Sequence, residues 1–518
     1  MNYKAVIIVA LLLAVSAPLV ALDDSDANTE VTPDGTQYGY STWGIEHDTY
    51  KATLYSVETS CEVLYVSTTL EGYNVKEIAA GAFDGVPSKT IVIPEQVRSI
   101  DTDAFTNCPF LENIYFMGDR PEMDDGVIPA GVTVYTLPGA SGWDGTGSIQ
   151  VVTTDLDGSQ VEYAVIAGEA ISIGYTPSPD GDVTIASSAG GFPVRAVGPY
   201  MFGEAYSEDG TNHGEVTDVR HVKVSDGVRE VRERAFYYCT GLEGVELPSS
   251  VTCIMDEAFR YSDHLSAITI PENVEYIGFE AFRNTSSIGE VTIPDATTFV
   301  GEGAFKISGA ERVTVGSGVT VLPDNTFAFM ENLREIEFRG DVTSMGEYQF
   351  QRDASLEWVE LPDTVGSIGA YSFMGCGSLM GLDLGSSLTG LSKQLFYQCG
   401  SLEEVYVPAT VGTVGENVFY RCDSLTDVYF LGERPEMGDD PFHRADPTVH
   451  CTEANADSWR GFDGIVVGGI PYGPEPPAEV PEQSPDDGPD TVVYIASAVA
   501  AVLLIALVAA VLIRKNHS

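Results

Sequence analysis

The chain has 518 residues, 44% of them apolar, and sets 77 Asp and Glu against 26 Lys and Arg for a net charge of -51. That apolar content excludes a disordered chain. The scarcity of basic groups to displace phosphate counterions argues against nucleic acid as a partner, and the acidic surplus reads as a self-repelling, soluble surface.

Residues 1–21 join Lys4 to an apolar run over 5–15 and small residues up to Ala21, the layout of a secretory signal peptide. Residues 37–145 then read as a short capped array. A strand-rich entry rich in Tyr, Thr and Val leads to repeats centred on Phe83 and Phe105, and an ending at Phe116-Met117-Gly118-Asp119-Arg120-Pro121-Glu122-Met123 is followed by Trp143. Residues 146–160 form a junction, and Asp157-Gly158 reads as a hairpin turn. Residues 161–467 repeat the plan at greater length. After a second strand-rich entry and a polar insertion at 204–216, Phe recurs at 236, 259, 282, 305, 327, 350, 373, 396 and 419, in steps of 23 with one of 22. This array holds about ten 23-residue repeats and ends in Phe430-Leu431-Gly432-Glu433-Arg434-Pro435-Glu436-Met437, then Trp459.

Within one repeat, residues 400–422, Leu402, Val405 and Val407 carry the apolar pattern of a short strand. Pro408 ends it, and Val411, Val414 and Val418-Phe419 follow at spacings that predict a short helical or 3₁₀ return. Such a unit cannot bury its apolar face alone and needs neighbours of its own kind. The pattern I-P-x-x-V-x-x-I-G-x-x-A-F-x-x-C-x-x-L resembles the BspA-like leucine-rich repeats of microbial surface proteins. The resemblance implies an α/β leucine-rich-repeat solenoid with a parallel sheet on one face and short helical or 3₁₀ returns, built here as two capped arrays. It also implies a surface, adhesin-like binding role without enzyme activity.

Beyond the repeats, residues 471–490 hold seven Pro and six acidic residues, an extended stalk rising roughly 3.1 Å per residue. Residues 491–513 carry no charge and suffice to cross a hydrocarbon core of about 30 Å. Arg514 and Lys515 place the 514–518 tail in the cytoplasm. The expected protein is a single-pass type I protein of the cell membrane with an extracellular ectodomain.

Residues between the apolar strand positions face away from the core. In the long array they make an acidic face with an aromatic end, and Glu337, Trp358, Glu360, Asp383, Glu404, Tyr406 and Tyr429 are its candidate ligand-binding residues. Exposed aromatics on a rigid sheet suit an extracellular protein or a surface glycan; the alternative is a structural envelope spacer with no specific ligand. The stacked carboxylates Glu337, Glu360 and Asp383 would suit Ca²⁺, but a solvated acidic stripe is the preferred account of them, and neither a metal site nor a cofactor is assigned. Five of the eight cysteines (Cys108, Cys239, Cys376, Cys399 and Cys422) fall three residues after a repeat Phe, which predicts a buried ladder of small side chains rather than disulfides. No HExxH, GxSxG or P-loop occurs, so no catalytic residue is assigned. Asn284-Thr285-Ser286 is a glycosylation sequon.

Overall fold

The computed structural model describes residues 28–43, 51–202 and 216–471. The signal peptide, the membrane span, the cytoplasmic tail, the stalk beyond Pro471 and all but the last residue of the 204–216 insertion lie outside them. Among the described residues no helix is long and apolar enough to cross a membrane.

Each repeat makes one coil. In residues 400–422 the strand Glu404–Val407 turns Val405 and Val407 into the core. Pro408 has no N–H for the ladder and stops it; its carbonyl instead accepts the Val411 N–H at 3.1 Å. The chain comes back through a second, two-residue strand, Thr413–Val414. Both strands pair in parallel with their equivalents one coil on, Tyr406 opposite Tyr429 and Val414 opposite Met437. The solenoid therefore carries two parallel ladders.

The predicted helical returns are not there. The residues two before and two after each repeat Phe sit in the left-handed region, as at Asn417 (φ 52°) and Arg421 (φ 55°), Gln394 (52°) and Gln398 (63°), and Tyr348 (59°) and Arg352 (63°). A reversal at every fourth residue cannot propagate a helix. It aims N–H groups at the next coil instead: Asn417 N–H donates to Asp439 O at 3.2 Å and Phe419 N–H to Pro441 O at 2.8 Å. The return is a pair of turns stacked coil on coil, and among the described residues the one 3₁₀ helix is Glu453–Asn455. A side chain in the left-handed region costs about 1–2 kcal/mol, more than the roughly 0.5–1 kcal/mol by which glycine's backbone freedom weakens a fold. Gln398→Gly, at an exposed position, is therefore expected to raise stability by about 0.5–1 kcal/mol, read as a higher urea midpoint.

The repeat phenylalanines form a continuous core stack. Successive rings lie 4.8 Å apart at Phe236–Phe259 and 5.5 Å at Phe396–Phe419, and the stack runs one coil further to Phe442. It loosens to 6.0 Å at Phe305–Phe327, across the single 22-residue step. Each array closes on a tryptophan: Trp143 packs on Phe116 at 4.5 Å and Trp459 on Phe430 at 4.8 Å. Four of the five ladder cysteines are buried as expected and Cys108, near the end of the short array, is half-buried; their thiols donate to the carbonyl of an earlier repeat Phe, as Cys376 to Phe350, Cys399 to Phe373 and Cys422 to Phe396, at 2.9–3.1 Å. Ser262 makes the same contact to Phe236 at 2.7 Å. Burial pushes the Cys422 thiol up to about 12, which suppresses the reactive thiolate. All eight cysteines are free thiols.

Among the described residues the two arrays meet in two places. The first is the outer sheet face of the first array. Tyr65, Val92, Tyr115 and Tyr135 lie in register across its parallel strands. They pack with Ala164, Ile166 and Ile171 from the antiparallel entry strands Ser159–Ile166 and Glu169–Thr176 of the second array.

The second is polar. Arg234, in the turn edge of the second array, donates to Asn74 Oδ1 at 2.6 Å, to the Tyr200 hydroxyl at 2.6 Å and to the Gly72 carbonyl at 2.9 Å. It is also ion-paired to the fully buried Glu257. Gly72 (φ 78°) is required here twice over, by its backbone and because a Cβ would come within 2.6 Å of the Phe279 ring. Ser67 reaches Glu233 at 2.9 Å. Carboxyls crowd this joint. Asp256 is held well above the usual carboxylate range by burial, against a hydrogen bond from the Phe279 N–H and with Glu233 and Glu257 close by. A carboxyl whose native pKa is raised binds its proton more tightly folded than unfolded. Its contribution is therefore present at low pH and is lost as pH climbs from the unfolded value, about 4, through the raised native one. Asp256→Asn keeps the Phe279 bond and removes the titration, so melting temperature is expected to fall less steeply above pH 4 in the variant than in the parent.

Candidate binding face

The outer face of the second array is ruled by the parallel register. One row runs Thr292, Thr314, Glu337 and, further along, Glu360 with Asp383, then Tyr406, Tyr429 and His450. Two residues back on each strand, a second row runs Glu290, Arg312, Glu335, then Trp358 beside Gly381, and Glu404 beside Asp427. Glu337 and Glu360 are exposed, while Trp358, Asp383 and Glu404 are half-buried. Trp358 lies over Gly381, where a Cβ would come within 2.8 Å of its ring.

Tyr406 and Tyr429 are less available than their strand positions suggest, being 6% and 7% exposed. In-register strands about 4.8 Å apart bring like side chains face to face. Tyr406 stacks on Tyr429 at 4.7 Å and Tyr429 on His450 at 4.6 Å. His450, not singled out from the sequence, ends the stack and is tied by Nε2 to Asp427 Oδ1 at 2.7 Å. Burial, followed by the neighbouring Glu404 carboxylate, pushes the Tyr406 hydroxyl up to about 12. Glu404 itself is raised, by burial first and then by Asp427.

The three stacked carboxylates do not gather as a calcium site requires. Glu337 is paired with Arg339 at 3.4 Å, and Asp383 accepts the Gly385 N–H at 2.9 Å. Among the described residues no cluster of three or more His, Cys, Asp or Glu could hold a metal ion. Asn284 sits in a left-handed turn (φ 60°), half-buried, with its Oδ1 enclosed and unpaired.

Two shorter ring stacks run along the turn edge. Tyr348 stacks on Tyr371 at 4.9 Å, Tyr397 on Tyr420 at 4.5 Å and Tyr420 on His443 at 5.2 Å, with the Arg444 guanidinium over Tyr420. Their signal was the same 23-residue period, one residue after or two before the repeat Phe.

Parallel coils of this period, capped at both ends, define a leucine-rich-repeat solenoid. The model of the BspA-type leucine-rich-repeat region matches residues 60–127, 214–334 and 343–446 in six copies, more than half of the chain. The chain belongs to that family. Among solved structures it is similar to the T. pallidum leucine-rich-repeat protein (23% identity over 42% of this chain and 87% of that one, TM-score 0.33). It is also similar to a leucine-rich-repeat protein from Eubacterium ventriosum (20%, 58% and 79%, TM-score 0.37). A third is the pneumococcal vaccine antigen PcpA (15%, 83% and 88%, TM-score 0.31). No curated protein sequence matches it.

Proposed function

We propose that this is a membrane-tethered, type I cell-surface protein that binds an extracellular protein, adhesin-like, on the outer sheet face of its second array. The observation that carries the reading lies in the first array. There the same outward strand positions, Tyr65, Val92 and Tyr115, already hold protein, the entry strands of the second array. The chain thus uses this face once for an internal partner, and the longer copy leaves Glu337 and Glu360 exposed. A protein is favoured over a glycan because Tyr406 and Tyr429 spend their ring faces on each other, and a sugar needs an open ring. The carboxylates select a basic surface and steer it, an effect that fades with salt. Half-buried Trp358 is the aromatic anchor.

The purified chain, assayed against basic and acidic extracellular matrix proteins and against glycans, is expected to hold a basic protein. Glu337→Lys with Glu360→Lys should weaken that binding at least tenfold, as should Trp358→Ala. A chain that binds none of these and instead self-assembles into ordered layers would be a structural envelope component, and the proposal would fail.

A further inference from the structure

The first array's sheet face is not filled completely by the entry strands. Between them lies a cavity of about 190 Å³. Its walls are mostly apolar, with Val92, Met117 and Leu137 on one side and Ile166 and Ile171 on the other. Two polar side chains also line it without a partner. Thr68 is 1% exposed and Gln96 5%, and neither Thr68 Oγ1 nor Gln96 Oε1 has a hydrogen bond. Of the other polar wall groups, the Arg232 guanidinium is committed to Glu230 and Glu233 and the Tyr200 hydroxyl to Asn74 and Arg234, while Glu95 is exposed. Glu95, Gln96 and Tyr200 also line a polar cleft of about 330 Å³.

We infer that this cavity is a binding site for a small, uncharged, single-ring molecule bearing a hydroxyl group. Size sets the ring, since an apolar cavity of about 150 Å³ takes benzene. The absence of charge follows from the walls, because an ion here would leave water for a mostly apolar lining whose one guanidinium, Arg232, is already paired. The hydroxyl follows from the two unpaired atoms. It donates to Gln96 Oε1 and accepts from the Thr68 hydroxyl, and each buried polar atom left unmatched costs about 1–3 kcal/mol. This site is separate from the sheet face of the second array, and neither reading depends on the other.

The test titrates the full chain with phenol and with toluene, followed by calorimetry and by shifts of the Met117 methyl resonance. Phenol is expected to bind more tightly than toluene. Thr68→Val with Gln96→Leu should reverse that order, weakening phenol at least tenfold while toluene is kept. Ile171→Phe should fill the space and abolish both, and Met117→Phe serves the same purpose if Ile171→Phe lowers the melting temperature sharply. No binding of phenol at millimolar concentration overturns the inference. So does binding that survives both the cavity-filling and the polarity variants, or a cavity that keeps bridging waters with phenol present.

Discussion

Arg234→Ala is expected to lower the unfolding free energy by about 3 kcal/mol, with the first array loosened from the second. The guanidinium is only 3% exposed and its partner Glu257 is fully buried. Its other bonds reach Asn74 and Gly72, across the joint. Removing one member of a buried pair leaves the other charge without compensation, which typically costs about 3–5 kcal/mol. The lower end applies because Glu257 keeps Arg260. Arg339→Ala is the control. Its pair with Glu337 is about half exposed on both sides, and such pairs are worth about 0–1 kcal/mol. Denaturant titration compares the two, and limited proteolysis reports the joint, with cleavage near residues 146–160 expected to rise in Arg234→Ala alone. If Arg234→Met with Glu257→Met restores stability, the pair's role is to fix how the arrays dock rather than to hold them, as for other buried ion pairs.

The coil is legible in the sequence because one Phe per repeat, a strand-closing proline and a shared cysteine position recur with one period. Each has a single physical job. The conformation of the return is not legible, because apolar residues spaced three and four apart suit a helical turn and a pair of turns alike. The left-handed positions that decide between them hold mostly Tyr, Arg, Gln, Glu and Asn, and the glycine that would have signalled the turn stands only at Gly81, Gly85, Gly303 and Gly375. Outward-facing strand positions are readable by alternation, yet Tyr406 and Glu337 share a row and end up covered and open respectively. What separates them is a like neighbour at stacking distance, which alternation does not report. The joint is least readable of all: Asn74 and Arg234 are 160 residues apart, and neither stands in a local pattern that points to the other.

Phe373→Ala is expected to cost about 3–5 kcal/mol, the usual range for emptying a buried phenylalanine site. The damage should be local. Phe373 is fully buried between Phe350 at 5.2 Å and Phe396 at 5.5 Å. The cavity cannot close by collapse, because the backbone above and below is held by parallel ladders at fixed spacing. The Cys399 thiol bond to the Phe373 carbonyl survives, being a backbone contact. In a solenoid each coil touches only its neighbours, so stability is a sum of coils and interfaces. Amide exchange should therefore speed most in residues 350–419 and least near the far entry strand Glu169–Thr176. Phe442→Ala is the contrast, a half-buried ring at the end of the stack with Phe419 as its ring neighbour. It should cost less and affect only the last coil and its Trp459 cap. Equal loss of protection across all coils in Phe373→Ala would mean that the second array unfolds as one cooperative unit, and the nearest-neighbour account would be wrong for it.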